Sequence, residues 1–98
     1  MLVKLHISGG KKIVSIADEN ILGKEFEEGE KYLNVSKSFY NGEKMNEEEI
    51  IKSLNGASSI NIVGKRSMEF ALNNKLIRDD NILKIKDIPF AITILYAE

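Results

Sequence analysis

The segment that most restricts what this chain can fold into is residues 2–17, LVKLHISGGKKIVSIA. Val3, Leu5 and Ile7 alternate with Leu2, Lys4 and His6, the period-two pattern of a strand whose faces meet different surroundings. Gly9-Gly10 follows, two adjacent residues that adopt positive φ without steric cost, as a two-residue primed turn requires. Such a turn fixes the register: Ser8 faces Lys11, His6 faces Ile13 and Leu5 faces Val14. Val3, Leu5, Val14 and Ile16 then share one sheet face, with Ile7 near its end. His6 falls on the other face beside Ile13 and Ser15. A sheet is set from the start, and a second layer must cover its apolar side.

Beyond the hairpin, Asp18 is placed to cap a short helical turn through Glu19, Asn20, Ile21 and Leu22, which Gly23 ends. KEFEEGE, residues 24–30, reads as an exposed connection, and Lys31–Val35 as a third strand with Leu33 and Val35 on one side. Phe39-Tyr40 ahead of Asn41-Gly42 marks a second turn whose aromatics close an edge of the core. A helix start is clear at Asn46: Glu49 sits at the third helical position, and Met45 and Ile50 stand where a hydrophobic staple forms. Glu47 and Glu48 set further carboxylates against the free amides. Ile50, Ile51 and Leu54 make its inward stripe, and Asn55-Gly56 ends it.

Ile60–Val63 returns to an extended pattern, which Gly64 breaks before a helix running to Asn74. Met68, Ala71 and Leu72 share one face of that helix, and Asn73 or Asn74 supplies a left-handed end. Residues 78–81 form a polar turn, Ile82–Ile85 a short strand and Ile88–Tyr96 the last one, with Pro89 near its start. There, Phe90, Ile92, Ile94 and Tyr96 face one way and Ala91, Thr93 and Leu95 the other. Apolar on both sides, this strand is internal or covered at an interface.

The element order predicts an α/β or α+β fold: a compact mixed β-sheet with two main helices and an N-terminal β-hairpin. At 98 residues and 11.0 kDa, residues 1–98 make a single domain. With no cysteine the chain has no disulfide, thiolate metal site or cysteine nucleophile, and its one histidine excludes an intrachain multi-histidine centre. The formal charge of −1 gives no general attraction to nucleic acid or anionic membrane, although residues 50–98 carry seven bases and five acids. Residues 88–96 are too short to cross a bilayer as a helix. A cytoplasmic protein is expected.

Gly64-Lys65-Arg66-Ser67, at a strand-to-helix junction, is the candidate anion- or phosphate-binding site. Free amides at a helix start receive an anion, Lys65 and Arg66 supply opposite charge, and Ser67 adds a hydroxyl. The spacing lacks the glycines and the Lys-Ser/Thr pair of a P-loop, and Gly64 also has a plain use in making the turn. Asp79, Asp80, Asn81 and Asp87 gather oxygens, but fewer than calcium takes, and a solvated turn accounts for them. His6 has no recognisable second ligand, so no catalytic or metal residue is assigned. Tyr32 and Tyr40 are candidate partner-packing aromatics, near Lys31 and Lys37. The signatures of RNA-recognition domains are missing, and Glu25, Glu27, Glu28 and Glu30 oppose indiscriminate RNA contact. Phe90, Ile92, Ile94 and Tyr96 are the candidate surface of a homo-oligomer.

ADENILGKEF, VSKSFYNGE, NIVGKRSMEFAL and IPFAITI, in that order, resemble segments of a family of small archaeal proteins, domain of unknown function number 424. Asp18, Leu22 and Gly23 match its first segment, Phe39, Tyr40 and Gly42 its second, Val63, Gly64 and Ala71 its third, and Pro89 its last. The family pattern has a cysteine before that aspartate and a histidine after that proline. Ala17 and Phe90 stand there, so the resemblance brings no thiol or Cys/His chemistry. It implies an archaeal cytoplasmic protein in a translation or ribonucleoprotein setting.

Together these readings predict a noncatalytic interaction module without cofactor or metal, whose partner is RNA, a ribonucleoprotein or a second copy of the chain. Two alternatives stand beside it. One is a small-metabolite-binding protein or enzyme using the Gly64 junction with Asp79 or Asp87; the other is a self-associating structural protein.

Overall fold

The computed structural model describes residues 1–95. Strands β1 (Leu2–Ser8) and β2 (Lys11–Ala17) form the expected hairpin, with Ser8 opposite Lys11, His6 opposite Ile13 and Leu5 opposite Val14. A 3-10 turn at Glu19–Ile21 leads to β3 (Glu25–Glu28), β4 (Lys31–Asn34), the single helical turn α1 (Lys37–Tyr40) and the two-residue β5 (Glu43–Lys44). Then come α2 (Glu47–Ser53), β6 (Ser59–Val63) and α3 (Lys65–Asn73). A second 3-10 turn at Asp79–Asn81 precedes β7 (Leu83–Ile85) and β8 (Ile88–Ile94).

Six strands make one sheet in the order β5-β1-β2-β6-β8-β7, while β3 and β4 pair separately. β2 and β6 run parallel, and the other neighbours run antiparallel. A parallel pair needs a long crossover, and the segment carrying α2 provides it. The result is the predicted mixed-sheet α+β architecture.

Register divides the apolar side chains into two cores. Val3, Val14, Ile16, Ile60, Ile62 and Ala91 lie on one face and are buried with Ile50 of α2 and Met68 and Ala71 of α3. Helices this short do not hold alone in water. They hold here because each fully buried isoleucine or methionine contributes about 1.5–3 kcal/mol. On the opposite face, Ala17, Val63 and Ile85 pack with Ile21, Leu33, Val35 and Tyr40. That second layer, built from β3, β4 and α1, covers the end of the sheet where β2 and β6 finish.

The start of α2 is as expected. The Glu49 amide donates to Asn46 Oδ1 at 2.8 Å and the Asn46 amide to Glu49 Oε1 at 3.0 Å. Ile51 differs: it is 43% exposed, because the inward line of this short helix runs from Ile50 to Leu54 and leaves Ile51 a quarter-turn away. KEFEEGE is not a bare connection, since residues 25–28 pair with β4 as a strand that turns Phe26 inward opposite Leu33. The left-handed residue after α3 is Lys75 (φ 57°), one beyond the asparagines, because Asn74 caps the helix with its amide Nδ2 donating to Phe70 O. Pro89 is the second residue of β8, and β8 lies between β6 and β7.

Candidate functional site

α3 begins at Gly64, whose φ of 108° lies outside the range that side-chain-bearing residues favour. Its amide donates to Pro89 O at 3.0 Å, fixing the junction to β8. The free amides expected at this helix start are occupied. Arg66 N donates to Asp18 Oδ2 at 3.0 Å and Ser67 N to Asp18 Oδ1 at 2.8 Å. The Ser67 hydroxyl donates to the same Oδ1 at 2.7 Å. Asp18 therefore does not cap the turn that follows it, where its side chain makes no capping bond; it caps α3 instead.

This carboxylate fills the place of the anion that the sequence suggested, and Ser67 is fully buried beside it. A Cβ at Gly64 would lie 2.3 Å from Asp18 Cγ. Only glycine leaves room for the clasp. Lys65 and Arg66 remain exposed at the rim of a cleft of about 540 Å³ that Asp18 and Glu19 also line. Glu19 is matched by the Lys44 ammonium at 3.4 Å, so the cleft presents both signs of charge.

The two candidate tyrosines separate. Tyr40 is only 4% exposed, part of the second core, and burial pushes its hydroxyl up to about 12. It is not a partner-packing surface. Tyr32 is 54% exposed, and its hydroxyl donates to the Glu25 carboxylate, which raises its pKa further than burial does. His6 stacks on Phe39 with ring centres 4.2 Å apart, and its Nε2 lies 3.0 Å from Phe39 O. A carbonyl only accepts, so Nε2 carries the proton; Ser15 Oγ donates to the same oxygen at 2.8 Å. These groups hold α1 on the sheet.

Asp80 pairs with Arg78 at 2.9 Å, and among the described residues no three His, Cys, Asp or Glu side chains gather to hold a metal. Ala17 and Phe90 both contribute to the second core.

The second layer stops short of half the sheet face. Beyond it, Ser59 and Ile94 stand side by side in one row of the sheet and Asn61 and Ile92 in the next, whose Ser15 lies buried under α1. Ile92 is 52% exposed and Ile94 62%; Leu83, opposite the half-buried Phe90, is 58%. Phe90, which the sequence grouped with Ile92, Ile94 and Tyr96 as a contact surface, is half-buried against the second core, while Ile92 and Ile94 are exposed and Tyr96 lies outside the described residues. Sequence reasoning missed Leu83 and the exposure of Leu5 and Ile7 on β1. Leu5 and Ile7 lie past Leu2 and Val3, the residues at which β5 pairs with β1.

A six-stranded mixed sheet with two helices on one face and a small hairpin on half of the other defines this class of protein. A crystal structure of an uncharacterized conserved protein from Methanopyrus kandleri shares the fold: TM-score 0.80 at 24% identity, over 99% of this chain and 93% of that one. The family model described as "Protein of unknown function (DUF424)" matches residues 6–95, and the chain belongs to that family. No curated protein matches it. No helix among the described residues is long and apolar enough to cross a membrane.

Proposed function

We propose that this chain, folded as one domain over residues 1–98, is a noncatalytic interaction module whose contact surface is the uncovered half of its sheet. The observation that carries this reading is the exposure of Leu83, Ile92 and Ile94 on one face, next to a region of the same face that β3, β4 and α1 cover. Contiguous exposed apolar area of this kind marks contact with another macromolecule. The strip is aliphatic and amide-bearing, which suits a protein surface; phosphate contact needs cations. The polar groups that suggested chemistry have structural partners instead: Asp18 with Ser67, and His6 and Ser15 with Phe39 O.

A reading as an RNA or ribonucleoprotein contact in a cytoplasmic, archaeal translation setting rests on Lys65 and Arg66 at the cleft rim, acting through side-chain charge alone. One capture experiment from native lysate separates the two. Protein recovery that survives RNase and is lost with Ile92→Lys/Ile94→Lys supports the apolar surface. RNase-sensitive recovery lost with Lys65→Ala/Arg66→Ala, and weakened by salt, overturns it in favour of the basic rim.

A further inference from the structure

On the helix-covered face of the sheet, α3 packs on β6 and β8, which leaves a trough of about 420 Å³ between that helix and the edge strand β7. Its floor is apolar: Met68 and Pro89 are buried there, and Leu72 and Ile82 half-buried. A concave apolar floor of this volume, rimmed by a few polar groups, is the form of a small-ligand site. The two ends differ in charge. Gly64 N donates to Pro89 O and Lys84 stands opposite Pro89 in the register, so Lys65 and Lys84 share one end. Asn81 Nδ2 donates to Ile92 O, three residues further along β8, which sets Asp79 at the other end, beside Asn73 in the last turn of α3. Asp87, in the β7–β8 turn, leaves the lysine end one net positive charge, while Glu69 and Asp79 make the rest of the rim negative. Among the described residues, none of these five side chains forms an ion pair, with one another or with any other group. The trough is therefore a dipole whose charges have no partner.

We propose that this trough binds a small zwitterion with an apolar body, its ammonium towards Glu69 and Asp79 and its carboxylate towards Lys65 and Lys84. Such a ligand sets an opposite charge against each end and its apolar part on the floor. The spacing sets its size. Lys65 to Asn73 is about 12 Å along the helix axis, and Pro89 to Ile92 is about 10 Å along the strand. A free tripeptide of apolar residues, extended at about 3.3 Å per residue, spans that length between its termini and lays its side chains on Met68, Leu72 and Ile82. A simple anion such as phosphate is disfavoured, because two lysines face three carboxylates. The site is independent of the contact surface, since Lys84 and Pro89 point to the opposite face of the sheet from Leu83 and Ile92.

Titration of trivaline into the isotope-labelled full chain, followed by heteronuclear NMR, tests it. Saturable shifts are expected at Met68, Leu72 and Ile82, and none at Leu5 or Ile7. Acetylating the peptide's amine, or amidating its carboxylate, should each weaken binding about two- to fivefold, the worth of one exposed ion pair. Glu69→Gln/Asp79→Asn should weaken binding of free trivaline by a similar factor and leave the acetylated form unaffected. Lys65→Met/Lys84→Met should weaken binding of free trivaline and leave the amidated form unaffected. All four side chains are exposed, so circular dichroism should be unchanged. Shifts that are absent, do not saturate or fall outside the trough would overturn the proposal. So would blocked peptides that bind as tightly as the free one, or variants that weaken free and blocked forms alike. An exchange of effects between the two double variants would reverse the assigned orientation and remove the proposal with it.

Discussion

Asp18 shows how much of this molecule turns on one side chain. Its two carboxylate oxygens receive three bonds from residues 66 and 67, and Ser67 has no exposure to water through which to replace them. Asp18→Ala should cost about 2–4 kcal/mol, the loss of a cap together with a buried donor left unpaired. Gly64→Ala should cost at least about 2 kcal/mol by strain at positive φ and by driving a methyl into Asp18. Because that clash is with the side chain Asp18→Ala removes, the double variant should be less destabilised than the two costs added, and urea unfolding of all four proteins measures the difference. Tyr40 carries a pH dependence. Its pKa is raised by burial in the folded state to about 12 from the ordinary 10.0 of a tyrosine, so its contribution is complete below pH 10 and is lost as pH rises through 12. The loss is at most about 3 kcal/mol. Tyr40→Phe should be less sensitive than the wild type to the step from pH 9 to pH 12, measured by denaturant midpoint; equal sensitivity would remove Tyr40 as the cause.

At the scale of elements, what was legible in the sequence is what is decided within a few residues. The β1–β2 register follows from two glycines and an alternation, and the Asn46–Glu49 box closes over three positions. Asn46→Ala should destabilise by about 0.5–2 kcal/mol in thermal or denaturant unfolding, and an unchanged midpoint would show that the box contributes nothing. What was not legible is decided at long range. Asp18 ahead of Glu19-Asn20-Ile21 satisfies the pattern of a local cap, yet its true partner is 49 positions away. The anion site at Gly64 failed for the same reason: sequence shows a helix start but not the carboxylate that fills it. β3 was hidden by composition, since Phe26 alone among its four residues turns inward. Phe39 and Tyr40 look alike on paper as aromatics beside a turn. Only the position of α1 against the sheet tells that one braces His6 and the other enters the core.

For the whole molecule, the last strand takes the first of the two places its pattern left open. β8 is internal in the pairing order and still bare on half of one face, because the layer over that face is a small hairpin rather than a helix. The clasp between Asp18 and α3 has a consequence for time as well as for stability. Its partners meet where β6 lies beside β2, a parallel pairing that sets Ile13 against Ser59 and closes the long segment between them into a loop. Such closure is entropically costly and slow, so contacts that depend on it are expected to form on the downhill side of the folding barrier. Until then α3 leaves its first amides to water. In stopped-flow kinetics, Asp18→Ala should hasten unfolding and leave the refolding rate nearly unchanged, whereas a fall in the refolding rate would place the clasp within the nucleus. The expected mark of this carboxylate is therefore on the lifetime of the native state more than on the speed of reaching it.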